Sequence, residues 1–185
     1  MHGLSMAGGA DRGSGRMSAV PLPLFSLEKW LAEFRQCHAS ARDGNLQPEE
    51  CHWYETARRE LARLLLNAQQ ISREFGHTAR QAIRIAWALQ VELTLGDQAV
   101  RAVTLDISTG GFSALLGSAP AEGDAIDFSL RLPRTQPIAG TARVVAAVEK
   151  TSHVRVSFAF AAIAAHDRER LEMFLFDKVL SHLAA

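Results

Sequence analysis

The spacing of hydrophobic residues divides the chain into a helical part followed by a part with the alternation of β-strands. Residues 26–42 carry an apolar side chain every three or four positions, which is the spacing of one helical face. A second stripe of the same kind runs from Trp53 to Ile71. Ser26 is predicted to cap the first helix, and Pro48 falls in the first turn of the second, where proline is tolerated. The pattern therefore predicts two antiparallel helices joined by a short loop.

Beyond Gly76 the apolar residues alternate with polar or small ones, which is typical of strands that bury one face. Six strands are predicted, and they cover about residues 85–95, 99–105, 111–116, 125–132, 138–148 and 152–160. Six short antiparallel strands joined by tight loops favour a small closed barrel, because closure leaves no unpaired strand edge. A last apolar stripe between Asp167 and Leu183 predicts a C-terminal helix that covers the barrel. The predicted fold class is mainly β, with an α-helical hairpin before the barrel.

These patterns predict three parts along the chain. Residues 1–20 are rich in Gly, Ser and Ala and contain internal methionines, so we expect a disordered leader or a start codon placed too early. Residues 21–75 form the helical hairpin, and residues 76–185 form the barrel domain. The apolar stripes of the hairpin exceed what two helices hide between themselves. The surfaces available to cover them are the barrel, a second copy of the chain or a target protein, and we expect a homo-oligomer, most simply a homodimer.

Composition and charge narrow the possible functions. The 185 residues include 20 Lys and Arg against 20 Asp and Glu, so no general attraction to nucleic acid or to an anionic membrane is expected. The sequence lacks the apolar run of a secretory signal or of a membrane span. Its 2 cysteines are too few for a disulfide framework, and the chain is predicted to be cytoplasmic with reduced thiols.

The stretch TLDISTGGFS, residues 104–113, places an acid, hydroxyls and a glycine pair within a strand pattern. The glycines alone are sufficient for a hairpin turn, so the turn does not explain Asp106 and Ser108. These two residues are two positions apart and therefore face the same side of the strand. Upstream, the guanidinium groups of Arg80 and Arg84 can bind phosphates through paired hydrogen bonds and stack on aromatic rings. A carboxylate can accept hydrogen bonds from two adjacent N–H donors of a guanine edge. Together these residues predict a site for a guanine nucleotide.

This combination resembles the PilZ family of bacterial receptors for cyclic diguanylate (c-di-GMP), whose motifs are RxxxR before the first barrel strand and (D/N)xSxxG after it. Arg80 and Arg84 match the first motif, and Asp106, Ser108 and Gly111 match the second. The resemblance spans the barrel and the C-terminal helix but not the hairpin. It implies that the arginines wrap the phosphates and guanine faces of the ligand, while Asp106 and Ser108 read guanine edges and phosphate. A glycine at position 111 leaves room for a ligand to lie against the backbone.

Each candidate residue also has a plain structural interpretation. Arg80 and Arg84 are spaced as neighbours on a solvated helix face that continues the second helix. Asp106 and Ser108 are residue types that stabilise turns by hydrogen bonding to their own backbone. Three further barrel arginines are candidates either for ligand contacts or for solvated strand faces, namely Arg101, Arg143 and Arg155.

Two Cys-His pairs flank the loop of the hairpin, and zinc accepts two Cys and two His ligands. Adjacent residues on a helix point about 100° apart, so the members of one pair rarely converge on one ion. We therefore expect no metal site and assign Cys37 to the core of the hairpin. The pairs are Cys37–His38 and Cys51–His52.

The leading hypothesis is a c-di-GMP receptor that has no enzymatic activity and needs no cofactor. Ligand binding would re-aim the hairpin relative to the barrel and change the shape of the protein or its affinity for a protein target. The alternative is a PilZ-like structural or interaction protein that binds no ligand and acts through its hairpin. An enzyme is disfavoured, because Ser108 and His153 form no recognisable pair of nucleophile and base. A nucleic-acid-binding barrel is disfavoured by the neutral charge and the few aromatic residues on the strands.

Overall fold

The computed structural model describes residues 24–71, 82–149 and 151–183, which form three helices and seven strands. The helices are α1 (Leu24–Arg42), α2 (Pro48–Ile71) and α3 (Ala165–His182). The strands are β1 (Arg84–Ile85), β2 (Gln90–Leu95), β3 (Gln98–Ser108), β4 (Gly111–Leu116), β5 (Ala125–Leu130), β6 (Ile138–Glu149) and β7 (Val154–Ile163). The predicted leader lies outside the described residues. Within the described ranges, no helix is both long and apolar enough to span a membrane.

Six of the strands close into an antiparallel barrel, as the alternation predicts. The sheet order is β1-β3-β2-β5-β6-β7-β4, and pairing of β3 with β4 closes the ring. The short strand β1 lies outside this ring and pairs only with β3 among the described strands. The fold is therefore a closed six-stranded barrel with one extra strand, a C-terminal helix and two N-terminal helices.

The first predicted strand, residues 85–95, is interrupted in the structure and divides into β1 and β2. Between β1 and β2, the hydroxyl of Thr104 on β3 supplies hydrogen bonds to the backbone that no longer pairs with a strand. It accepts a hydrogen bond from the backbone N–H of Leu89 at 2.9 Å and donates one to the carbonyl of Trp87 at 2.7 Å. A buried side chain thus replaces the backbone partners that a continuous strand would supply.

The barrel core consists of the inner faces of the strands and one side of α3. Phenylalanines fill its centre, with the Phe112 and Phe158 rings stacked at 4.9 Å between centroids. The helix contributes Leu171, Phe174 and Leu175, all of which are buried. The predicted role of the C-terminal helix as a cover for the barrel is confirmed, and the helix begins at Ala165 rather than at Asp167.

The opposite side of α3 packs against the hairpin and forms a second core. The buried members of this core are Phe34, Tyr54, Ala57, Leu61, Phe176 and Leu180. An ion-pair cluster beside it joins α2 to α3, because Arg58 Nη1 lies 2.6 Å from Glu169 Oε1 and Arg58 Nη2 lies 2.7 Å from Glu172 Oε2. One helix therefore connects the hairpin to the barrel.

This packing changes two expectations for the hairpin. Its apolar stripes find a covering surface on α3, so the argument from uncovered stripes to a homodimer loses its premise, and the dimer itself stays a prediction. The first helix begins at Leu24, so Ser26 is not its N-cap. Pro48 does occupy the first turn of the second helix, as predicted.

Candidate nucleotide-binding site

The candidate acid and serine lie near the end of β3, beside a local irregularity of the strand. Thr104 pairs with Ala114, but Asp106 pairs with Ser113, so the register between β3 and β4 shifts by one residue at this point. Such a bulge re-aims the side chains next to it. Ile107 is fully buried in the barrel core, and strand alternation therefore turns its two neighbours away from the core.

The carboxylate of Asp106 is held between two guanidinium groups on the outside of the barrel. Its Oδ2 atom accepts hydrogen bonds from Ser113 Oγ at 2.7 Å and from Arg155 Nη2 at 2.6 Å. Its Oδ1 atom lies 3.4 Å from Arg84 Nε. Asp106 Oδ1 and Arg84 Nε are both buried, and within the described part of the chain neither has a hydrogen-bond partner. The site thus holds hydrogen-bonding capacity that the protein leaves unused.

Ser108 and Gly111 serve the turn between β3 and β4 in this structure. Ser108 Oγ donates to the carbonyl of Gly111 at 3.1 Å and accepts from the N–H of Gly110 at 3.3 Å. A side chain at position 111 would place its Cβ 2.0 Å from the carbonyl oxygen of Phe158 on β7. The glycine therefore meets a packing requirement between two strands, whether or not a ligand approaches it.

Of the two arginines of the first motif, Arg84 is described and Arg80 lies outside the described residues. Arg84 starts β1 and pairs with Ser108 on β3, so the alternative that it continues the second helix does not hold. Its backbone is bonded at both polar atoms to the side-chain amide of Gln69, at the end of α2. Arg84 thus reaches the candidate site through its side chain and the hairpin through its backbone.

The three further arginines have different roles. Arg155 lies at the candidate site, where it forms an ion pair with the carboxylate of Asp106. Arg101 is exposed and lies 3.4 Å from Glu92, whereas Arg143 donates to the carbonyl of Gly123 at 2.7 Å. Ser113 was not singled out from the sequence, although its place opposite Asp106 across the predicted hairpin is the signal that could have identified it.

The Cys-His pairs of the hairpin do not converge on one point. His38 is buried, with Nδ1 2.7 Å from the Tyr54 hydroxyl and Nε2 3.1 Å from Asp177 Oδ1, so both ring nitrogens have partners. Burial lowers the pKa of His38, against the opposing effect of the Asp177 carboxylate. Cys37 packs against the hairpin core. Across the described ranges, no group of three or more candidate ligands could hold a metal ion.

Solved structures with a similar fold include proteins of three bacteria. Bacillus subtilis inhibitor of motility (MotI/DgrA) shares 22% identity at a TM-score of 0.52, over 57% of this chain and 53% of that one. Escherichia coli YcgR in complex with c-di-GMP shares 21% identity at a TM-score of 0.51, over 57% of this chain and 48% of that one. The K. pneumonia MrkH–c-di-GMP complex shares 17% identity at a TM-score of 0.52, over 58% of this chain and 56% of that one. At these identities the likeness shows the fold alone, and the matched region spans about half of each of these proteins.

The sequence itself identifies the family. No curated protein sequence matches the chain significantly. The family model for the PilZ domain matches residues 78–177, which include the whole barrel, most of α3 and every candidate site residue. This is more than half of the 185 residues. The chain therefore belongs to the PilZ domain family.

Proposed function

We propose that this protein is a c-di-GMP receptor, which binds the dinucleotide at the outer surface of the barrel and catalyses no reaction. The observation that carries the proposal is the Asp106 carboxylate, which lies buried between the guanidinium groups of Arg84 and Arg155. The full set of ligand-binding residues in the proposal is Arg80, Arg84, Asp106, Ser108 and Gly111. Membership of the PilZ family supports this ligand over other guanine nucleotides.

The chemistry of the ligand fits these residue types. A cyclic dinucleotide of guanine carries two phosphodiester groups, which guanidinium groups bind through paired N–H donors. Its guanine edges present adjacent N–H donors, for which a carboxylate is a matching acceptor. An acid with a cation on either side can therefore bind the base and the phosphate of one nucleotide together.

Binding requires a rearrangement of the site. Both lone-pair positions of Asp106 Oδ2 are engaged by Arg155 and Ser113, and Oδ1 is buried beside Arg84. A guanine edge must therefore displace Arg84 or Arg155 before it reaches the carboxylate. We propose that Arg84 turns from Asp106 to the ligand and that this change re-aims the hairpin, through which the protein acts on a protein target.

Two finer parts of the sequence-based hypothesis remain predictions. One is the cytoplasmic location in a bacterium, and the other is the homodimer formed through the hairpin. The alternative function, an interaction protein that binds no ligand and acts through its hairpin, is an outcome of the experiment that follows.

Calorimetric titration of the full chain with c-di-GMP tests the proposal, with GMP as the control ligand. We expect binding of c-di-GMP and a loss of about 30- to 1000-fold in affinity for Arg84→Ala, since a charged partner is removed from a partly desolvated site. Arg101→Ala is the matched control, because Arg101 is an exposed arginine on the same barrel. Absence of binding by the wild-type chain would favour the alternative function, and equal affinity of the Arg84 and Arg101 variants would reject this site.

A further inference from the structure

We propose that Gln69 is a positioning residue of the nucleotide site, which holds the backbone of Arg84 and makes ligand affinity depend on the helical hairpin. The inference rests on the proposed c-di-GMP site and adds to it a residue outside the family motifs. Gln69 lies on α2, before the first residue of the PilZ match.

Two hydrogen bonds from one amide carry the inference. Gln69 Nε2 donates to the carbonyl oxygen of Arg84 at 2.7 Å, and Gln69 Oε1 accepts from the N–H of Arg84 at 3.1 Å. Both bonds are partly buried. A side-chain amide thus satisfies the donor and the acceptor of a single backbone residue, as a neighbouring strand would do.

The position of β1 explains why such a partner is needed. This strand has only two residues and, among the described strands, pairs only with β3. Among the described residues, no other strand pairs with its second edge, where backbone groups need a partner. The side chain of Gln69 completes this edge at Arg84, so α2 holds the strand that presents the proposed ligand-binding arginine.

We call the two hydrogen bonds between the Gln69 side chain and the Arg84 backbone the clamp, and its chemistry is specific to an amide. Alanine at position 69 removes both bonds. Glutamate keeps an acceptor for the N–H of Arg84, but it places a carboxylate against the Arg84 carbonyl, where a donor is needed. Leucine fills a similar volume and bonds neither group. These three substitutions therefore separate hydrogen bonding from packing.

The same clamp couples the site to the hairpin. Arg84 contacts Asp106 through its guanidinium, while Gln69 belongs to a helix that packs on α3 through Leu61. If the backbone of Arg84 shifts when its side chain turns to a ligand, it must either draw the end of α2 with it or break the amide contact. A backbone already restrained by the clamp also loses less freedom when the ligand binds. By reciprocity, ligand binding must change the stability of the contact between α2 and β1.

Calorimetry and hydrogen exchange on the full chain test the inference with c-di-GMP as the probe. Gln69→Ala and Gln69→Leu should each weaken binding by about 5- to 30-fold, and Gln69→Glu by at least as much. The control is Asn67→Ala, which removes an exposed amide two residues earlier on the same helix and should bind as the wild type does. Unfolding curves of each variant identify any general loss of fold.

A positioning role also predicts an exchange signature that simple destabilisation would not give. In the wild type, c-di-GMP should change the hydrogen-exchange rates of backbone amides at the end of α2. The Gln69→Ala variant should still bind c-di-GMP at higher concentration, but without this change in exchange. The amide of Arg84 should exchange faster in the unliganded variant. Equal affinity and equal ligand-linked exchange in Gln69→Ala and the wild type would overturn the inference alone. Failure of the wild type to bind c-di-GMP would overturn the proposed function and this inference with it.

Discussion

Arg155 and Asp106 form an ion pair of 2.6 Å on the outside of the barrel, although β4 lies between the strands that carry them. The intervening strand contributes Ser113, whose hydroxyl donates to the same carboxylate oxygen at 2.7 Å. Two donors on one oxygen fix the plane of the carboxylate. The orientation of Asp106 is therefore set by three adjacent strands before any ligand binds.

This arrangement predicts different effects for two substitutions of Asp106. Asp106→Ala removes the acceptor and should weaken c-di-GMP binding by about 30- to 1000-fold. Asp106→Asn keeps a carbonyl oxygen for Arg155 and Ser113 and should weaken binding less. Calorimetric titration measures both, with the exposed strand residue Asp127 replaced by alanine as the control. Unchanged affinity in Asp106→Ala would remove the carboxylate from the site.

Gly111 should prove essential for the barrel rather than for ligand contact alone. In Gly111→Val the new Cβ meets the Phe158 carbonyl at 2.0 Å and the Ala159 Cα at 3.0 Å, so β4 and β7 must separate. We expect a loss of about 2 kcal/mol or more in the free energy of unfolding. Gly117→Val is the control, since its Cβ has no heavy atom within 4 Å and should change stability by less than about 0.5 kcal/mol. Urea unfolding of both variants decides between them, and equal stability would contradict the packing argument.

The fold could be predicted where periodicity determines it. Alternation along the chain predicted the barrel strands, and the spacing of apolar residues predicted both hairpin helices. The interruption between β1 and β2 could not be predicted, because it depends on the hydroxyl of Thr104, which lies on another strand. The second face of α3 carries Phe176 and Leu180 beside its barrel-facing stripe, and only the packed structure shows that this face covers the hairpin.

The candidate site divides in the same way. Motif spacing predicted Asp106 and Arg84, because a motif depends on sequence distance alone. The bond from Ser113 follows from the register of the hairpin between β3 and β4, whereas the ion pair with Arg155 depends on the packing of β7 beside β4 and could not be predicted from spacing. The same holds for Gln69, whose contact with Arg84 joins two elements of different type.

His38 should make the hairpin sensitive to acid. Burial lowers its pKa below the ordinary value, so the folded protein holds the ring neutral at a pH where the unfolded chain begins to bind a proton. Stability from this group is therefore complete above about pH 6.5 and is lost as the pH falls through the lowered folded value. The Asp177 carboxylate opposes the shift, while Arg58 and Arg42 favour it.

Thermal unfolding between about pH 8 and pH 5.5 measures this dependence. The wild type should lose stability across this range, and His38→Gln should lose less of it, since glutamine does not titrate. His52→Gln replaces an exposed histidine of α2 and should follow the wild type. A wild-type melting temperature that stays constant over the range would contradict the role of His38.

Leu61 and Leu64 on α2 test which surface covers the hairpin. Leu61 is 4% exposed in the core shared with α3, whereas Leu64 is 38% exposed. Leu61→Ala should therefore lower the free energy of unfolding by about 2–4 kcal/mol, and Leu64→Ala by less than about 1 kcal/mol. Because the partner surface of Leu61 belongs to the same chain, the loss caused by Leu61→Ala should be the same over about a hundredfold range of protein concentration. A midpoint that rises with concentration, together with a large loss in Leu64→Ala, would instead assign the stripe to a second copy of the chain.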